Sequence, residues 1–172
     1  MDILCNFNTI VSSIDCSHSY NHHTGVFKLI ECTEEILFTN EKREKVSLKE
    51  NEIILARCLI DSSFFQELSV VQICSKHRAL LGKEWYQQKK CCNSNHDKAE
   101  VLNSNKLWIN LIKAQSLTTL LKFKLIDDSY QSYGFGSLIC KKHNDELTKL
   151  LDEAFKKYEF ILTYIKRIGR LF

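Results

Sequence analysis

A cysteine and a histidine three residues apart can close on one metal ion, and this sequence has that spacing twice. Ile73-Cys74-Ser75-Lys76-His77 and Ile139-Cys140-Lys141-Lys142-His143 agree at four of five positions. Residues with helical spacing follow each copy. A tight turn into a helix brings the two side chains together, and the helix's positive end favours the thiolate that zinc requires. Zinc takes four ligands in a tetrahedron, so each pair needs further donors.

For Cys74 and His77 the nearest donors in sequence are Cys91 or Cys92 with His96, and Trp85 lies between them, placed to pack over a site. This layout resembles that of short zinc fingers. It departs from them in leading with Cys-x2-His instead of Cys-x2-Cys, so no family follows from it. Cys140 and His143 have no partner downstream. Their partners are sought upstream among Cys58, Cys32, Cys16, His18, His22, His23 and whichever of Cys91 and Cys92 is spare, with Cys58 favoured because it sits on a helix feeding the first turn. The other arrangement has both turns sharing one ion. The expectation is one or two zinc ions, with Cys5 and the His22-His23 pair as bystanders. Against it stands the plain alternative that these cysteines are small core residues.

The composition agrees with an ordinary globular protein. The chain has 172 residues, 44% hydrophobic and 26% charged, with a net charge of +3. That is mildly basic and does not demand a nucleic-acid partner. There is no proline and there are only five glycines, which argues against linkers and low-complexity tails. Met1-Asp2-Ile3-Leu4-Cys5 lacks the basic start of a signal peptide, and no apolar run is long enough to span a bilayer. The expected setting is therefore intracellular, nuclear or cytoplasmic. Paired Cys and His there more often mean metal than disulfide.

The elements that must position these residues read as α+β, mainly α with a small β element near the N-terminus. Val26–Cys32 and Glu35–Phe38 have strand content, and 39–45 turns toward Val46 and Leu48 as a hairpin. Ser47 and Glu50 have capping-box spacing for a helix carrying Ile53, Ile54 and Cys58. Asp61-Ser62-Ser63 is placed to cap another helix, and Gly82 to stop the one that follows His77. Residues 89–105 read as a loop. Leu107–Leu125 reads as a helix with Trp108 on its apolar side, and Asn144 as the cap of the longest helix. The resulting division is 1–50 as a hairpin-containing segment, 51–143 as the zinc-binding helical part, and 144–172 as an amphipathic helix, all in one compact body. Leu147, Leu151, Ala154, Tyr158, Ile161, Ile165, Ile168 and Phe172 follow a heptad seam; Leu150, Phe155 and Leu162 widen it toward self-packing.

Enzyme motifs are missing: no HExxH, no GxxxxGK[ST] and no GxSxG occurs. Lys76, Arg78, Lys89, Lys90, Lys141 and Lys142 cluster near the Cys-x2-His turns in sequence. The favoured reading is a non-enzymatic zinc module that binds nucleic acid, regulatory or derived from a mobile element. A protein-interaction module self-associating through 147–172 ranks second, and a zinc or thiol enzyme third. No membrane or small-molecule partner is expected.

Overall fold

The residues entering the first Cys-x2-His turn form one side of a short antiparallel pair, and the same is true of the second. The computed structural model describes residues 5–7, 25–39, 45–61, 68–85, 91–93 and 107–158. The chain separates into two units, Met1–Tyr86 and Gln87–Phe172. This differs from the expected division at residues 50 and 143. The hairpin and the first Cys-x2-His turn share unit 1, and the long helix belongs to unit 2.

In unit 1, β1 (Val26–Lys28) runs antiparallel to β4 (Gln72–Cys74), with Phe27 opposite Ile73. The expected hairpin is present as β2 (Glu35–Thr39) and β3 (Lys45–Lys49). Along β3 exposed lysine and serine alternate with half-buried Val46 and Leu48, the period-two pattern of a sheet with one covered face. Helix α1 (Glu50–Arg57) begins later than the Ser47 cap anticipated. Ser47 stays in β3 and donates its hydroxyl to Glu35 across the hairpin at 3.1 Å, while the Glu52 carboxylate accepts the Lys49 N–H at 3.1 Å and closes the first turn. Helix α2 (Ser75–Leu81) stops at Gly82, as its sequence indicates. The helix expected after Asp61 lies outside the described residues up to a 3₁₀ turn at Leu68–Val70. Phe7, Leu29, Cys32, Ile54, Leu55, Ile73 and Leu81 form the core together with Cys5 and Cys74.

Two cations lock α2 in place. Arg57 donates to the Leu81 and Gly82 carbonyls, capping the helix's negative end, and lies 4.6 Å over the Trp85 ring. Arg78 makes a forked bond to the buried Glu50 carboxylate, at 2.7–3.1 Å, and stacks 4.7 Å over Phe27. A methyl group on Gly82 would stand 2.5 Å from the Arg78 carbonyl and 2.9 Å from Glu50 Oε1. Gly82→Ala should therefore cost about 2–3 kcal/mol by overpacking, read as a lower midpoint in urea at unchanged slope.

In unit 2, β5 (Leu107–Trp108) pairs antiparallel with β6 (Leu138–Ile139). Helix α3 (Leu111–Lys122) follows β5, a 3₁₀ turn spans Asp128–Ser132, and α4 (Lys141–Lys157) follows β6. The expected helix start at Leu107 is corrected by Asn110. Its side chain accepts the Lys113 N–H at 2.8 Å and starts the helix there, leaving Trp108 on a strand. Asn144 is likewise not a cap. Cys140, extended at φ −77° and ψ 161°, is the N-cap, and Asn144 sits in the first turn with its side-chain oxygen 2.6 Å from Lys113 Nζ. On α4, Leu147 and Leu151 of the heptad pattern are buried. The pattern beyond Tyr158 lies outside the described residues.

The fold is thus mixed α+β, with four helices and three two-stranded antiparallel sheets among the described residues. The β structure is shared by both units instead of being confined to the N-terminus. No helix among the described residues is long and apolar enough to cross a membrane.

Candidate metal centres

Each Cys-x2-His turn is built the same way. The strand β4 or β6 delivers an extended cysteine, which becomes the N-cap of a helix; the histidine in that helix's first turn then swings back beside it. In unit 1 the Cys74 Sγ and His77 Nδ1 lie 3.3 Å apart, and His77 is fully buried. The third donor is Cys5, whose Sγ is 3.5 Å from the same nitrogen. In unit 2 Cys140 Sγ is 3.1 Å and Cys91 Sγ 3.5 Å from His143 Nδ1. In both groups all donor atoms lie within 4.8 Å of one another. Ligands on a tetrahedral zinc, at about 2.3 Å for sulfur and 2.05 Å for nitrogen, stand about 3.5 Å apart. The sulfur–nitrogen distances here are close to that spacing.

The surroundings favour a cation. Cys5 Sγ accepts the Cys74 N–H at 3.3 Å, and Cys91 Sγ accepts the Cys140 N–H at 3.4 Å. Cys74 Sγ also accepts the His77 N–H at 3.4 Å. Such bonds stabilise thiolates. Burial acts the other way and pushes the Cys5 and Cys140 thiols up, so the thiolate form at neutral pH would need a positive ion beside it. Binding through Nδ1 leaves the ring proton on Nε2. In unit 2 that nitrogen faces the Glu146 carboxylate at 3.9 Å, and in unit 1 the Phe7 ring, 6.4 Å between centroids, flanks the imidazole. Two thiols and an imidazole form a borderline-soft donor set able to hold a divalent transition metal.

The structure regroups the sequence candidates. Cys74 and His77 meet Cys5, expected as a bystander. Cys140 and His143 meet Cys91, one of the upstream partners expected for them, while the favoured Cys58 is in neither group. Among the described residues each Cys-Cys-His group is drawn from one unit. Cys58 is the C-cap of α1 in unit 1, where burial raises its thiol to about 12. Cys92 is buried next to Cys91 but outside the triad, its thiol likewise raised to about 12. The seven described cysteines are free thiols. His96, Lys89 and Lys90 lie outside the described residues. Of the other basic candidates, Lys76, Lys141 and Lys142 are exposed, whereas Arg78 is held by Glu50 and Glu34.

The likeness of the two centres extends through their units. Leu29 N–H bonds to Val71 O and Ile109 N–H to Ser137 O, both at 2.9 Å. Asn6 N–H reaches Gln72 O at 3.0 Å, and Cys92 N–H reaches Leu138 O at 2.7 Å. Helices α1 and α3 end alike: Ile60 N–H bonds to Leu55 O and Leu125 N–H to Leu120 O, and the residues between, Leu59 and Lys124, both have φ of 53°. This is the left-handed C-cap usually given to glycine, kept twice without it. Unit 1 differs by placing a 3₁₀ turn and the β2–β3 hairpin between strand and helix, where unit 2 has only Ile109 and Asn110. The five-residue sequence repeat thus falls at the point where the two units are built alike.

No family model, no curated protein and no solved structure matches this chain.

Proposed function

We propose that this chain is a non-enzymatic tandem zinc module, one ion per unit, that binds nucleic acid. The observation that carries the metal reading is the pair of Cys-Cys-His triads, constructed by the same backbone bonds in two units that differ elsewhere. Duplicated placement of three donors is better explained by a shared ligand than by core filling. Zinc fits the donors, and a fourth ligand completes the tetrahedron. The sequence offers Cys16, His18, His22 or His23 between Cys5 and β1, and His96 between Cys91 and β5. Four protein ligands make the ion structural and leave no open position for catalysis.

The nucleic-acid reading rests on exposed lysines at both turns, Lys76 in unit 1 and Lys141 with Lys142 in unit 2. They stand beside the metal-ordered helix starts, where backbone N–H groups also attract anions. The test is fluorescence anisotropy with a labelled 30-bp duplex DNA and a labelled 30-nucleotide RNA across a salt series. About three phosphate contacts should weaken binding roughly 40-fold between 50 and 200 mM salt. Binding that is absent, or indifferent to salt, removes this reading and leaves the metal sites untouched.

A further inference from the structure

The two units share a scaffold but not a charge. Unit 1 holds nine Lys and Arg against twelve Asp and Glu, a formal net of −3; unit 2 holds fifteen against nine, a net of +6. The mild +3 of the whole chain conceals this opposition.

The difference is also local, and the likeness of the units lets it be compared position by position. In unit 1 the helix after the metal-binding cysteine begins Ser75-Lys76, and in unit 2 it begins Lys141-Lys142, both exposed. The residue after the histidine is Arg78 in unit 1, its charge met by Glu50 and Glu34, while Lys83 nearby pairs with Glu34 as well. Its counterpart in unit 2 is the neutral Asn144. At the C-terminal turn of the preceding helix, unit 1 has Arg57, turned inward onto the Leu81 and Gly82 carbonyls, followed by Leu59. Unit 2 has exposed Lys122 and Lys124 in those places. At these matched positions unit 1 thus turns Arg57 and Arg78 onto its own carbonyls and carboxylates, where unit 2 has exposed Lys122 and neutral Asn144.

A polyanion binds where its counterions are replaced by fixed cations, and an acidic neighbour within a Debye length of about 8–10 Å opposes it. We propose that the two units divide the work: unit 2 carries most of the surface that binds the phosphate backbone of a nucleic acid, and unit 1 adds to it only Lys76. This rests on the nucleic-acid reading above and centres it on unit 2.

The test compares two full-length triple variants that remove equal charge from exposed lysines. Lys122→Ala/Lys141→Ala/Lys142→Ala alters unit 2, and Lys28→Ala/Lys45→Ala/Lys49→Ala alters unit 1. Both are checked for unchanged metal content, then titrated with the same DNA and RNA probes. The unit 2 variant should bind roughly 100-fold more weakly at low salt, with a log–log salt slope shallower by about 2–3. The unit 1 variant should stay within about twofold of wild type. Equal losses in both, or a loss confined to the unit 1 variant, overturns the division while the nucleic-acid reading stands. Wild-type protein that binds neither probe overturns both. A preference for one probe identifies the source of the phosphates.

Discussion

Native mass spectrometry of the protein, purified without added metal, should show two zinc ions, and Cys5→Ser should remove one of them. This is the sharpest consequence of the observed grouping. Cys5 sits 69 residues from Cys74, yet its sulfur accepts the Cys74 N–H and lies 3.5 Å from His77 Nδ1. Cys91→Ser should likewise remove one ion, because Cys91 stands in the same relation to Cys140 and His143. Cys58→Ser should keep both ions, its thiol being a buried C-cap group of α1. Losing one triad member should cost at least 100-fold in affinity at that site, since a ligand counts for more than the outer partners whose loss alone costs about 10–100-fold. The opposite pattern, with Cys58→Ser losing zinc and Cys5→Ser keeping both, would show that the triads are packing and not ligation. Two ions falling to one, and not to none, would also confirm that the units load separately.

Removing the metal should unfold the protein. Each centre buries two cysteines and a histidine, with His77 fully enclosed. Structural zinc in small domains contributes an apparent ~10–16 kcal/mol at neutral pH, more than the roughly 5–15 kcal/mol by which a typical domain is stable. Excess chelator at pH 7 should therefore abolish hydrogen-exchange protection along α2 and the first turns of α4, and added zinc should restore it. Persistent protection in demonstrably metal-free protein would end the claim that metal holds the fold.

The same experiment has a pH signature. Protons compete with zinc for the sulfurs, so the loaded protein should lose stability as pH falls. The non-ligand thiols act at the other end. Burial raises Cys32 to about 11 and Cys58 and Cys92 to about 12, against 9.0 for a free thiol. Between those values the folded chain holds protons that the unfolded chain has released, so stability declines as pH rises above about 9. Denaturant midpoints measured from pH 5 to 11 should trace a dome, and chelation should remove its acid side.

What the sequence determined by itself was local. The Cys-x2-His spacing, the Gly82 stop and the pairing of strand 35–39 with 45–49 each follow from contacts between near neighbours in sequence, and each is where the sequence places it. Asn110 is equally local but stands among apolar residues that extend the helical pattern back to Leu107; its cap bond to Lys113 starts the helix at Leu111 instead. The placement of Cys5 and Cys91 has no such local signal. Cys5 is 69 residues from the thiol it joins and Cys91 49 residues from its own; nothing in the neighbouring sequence marks Cys5 as a ligand, and the spacing around Cys91 points as readily to Cys74 as to Cys140. The two intervening stretches also differ by the hairpin, so the likeness of the units shows in sequence only at the five residues around each Cys-x2-His turn. Elsewhere the units share backbone bonds but not residue types. A hydrogen-bonded strand pair constrains its backbone geometry far more tightly than its residue types, which is why only the tertiary structure could complete the metal centres.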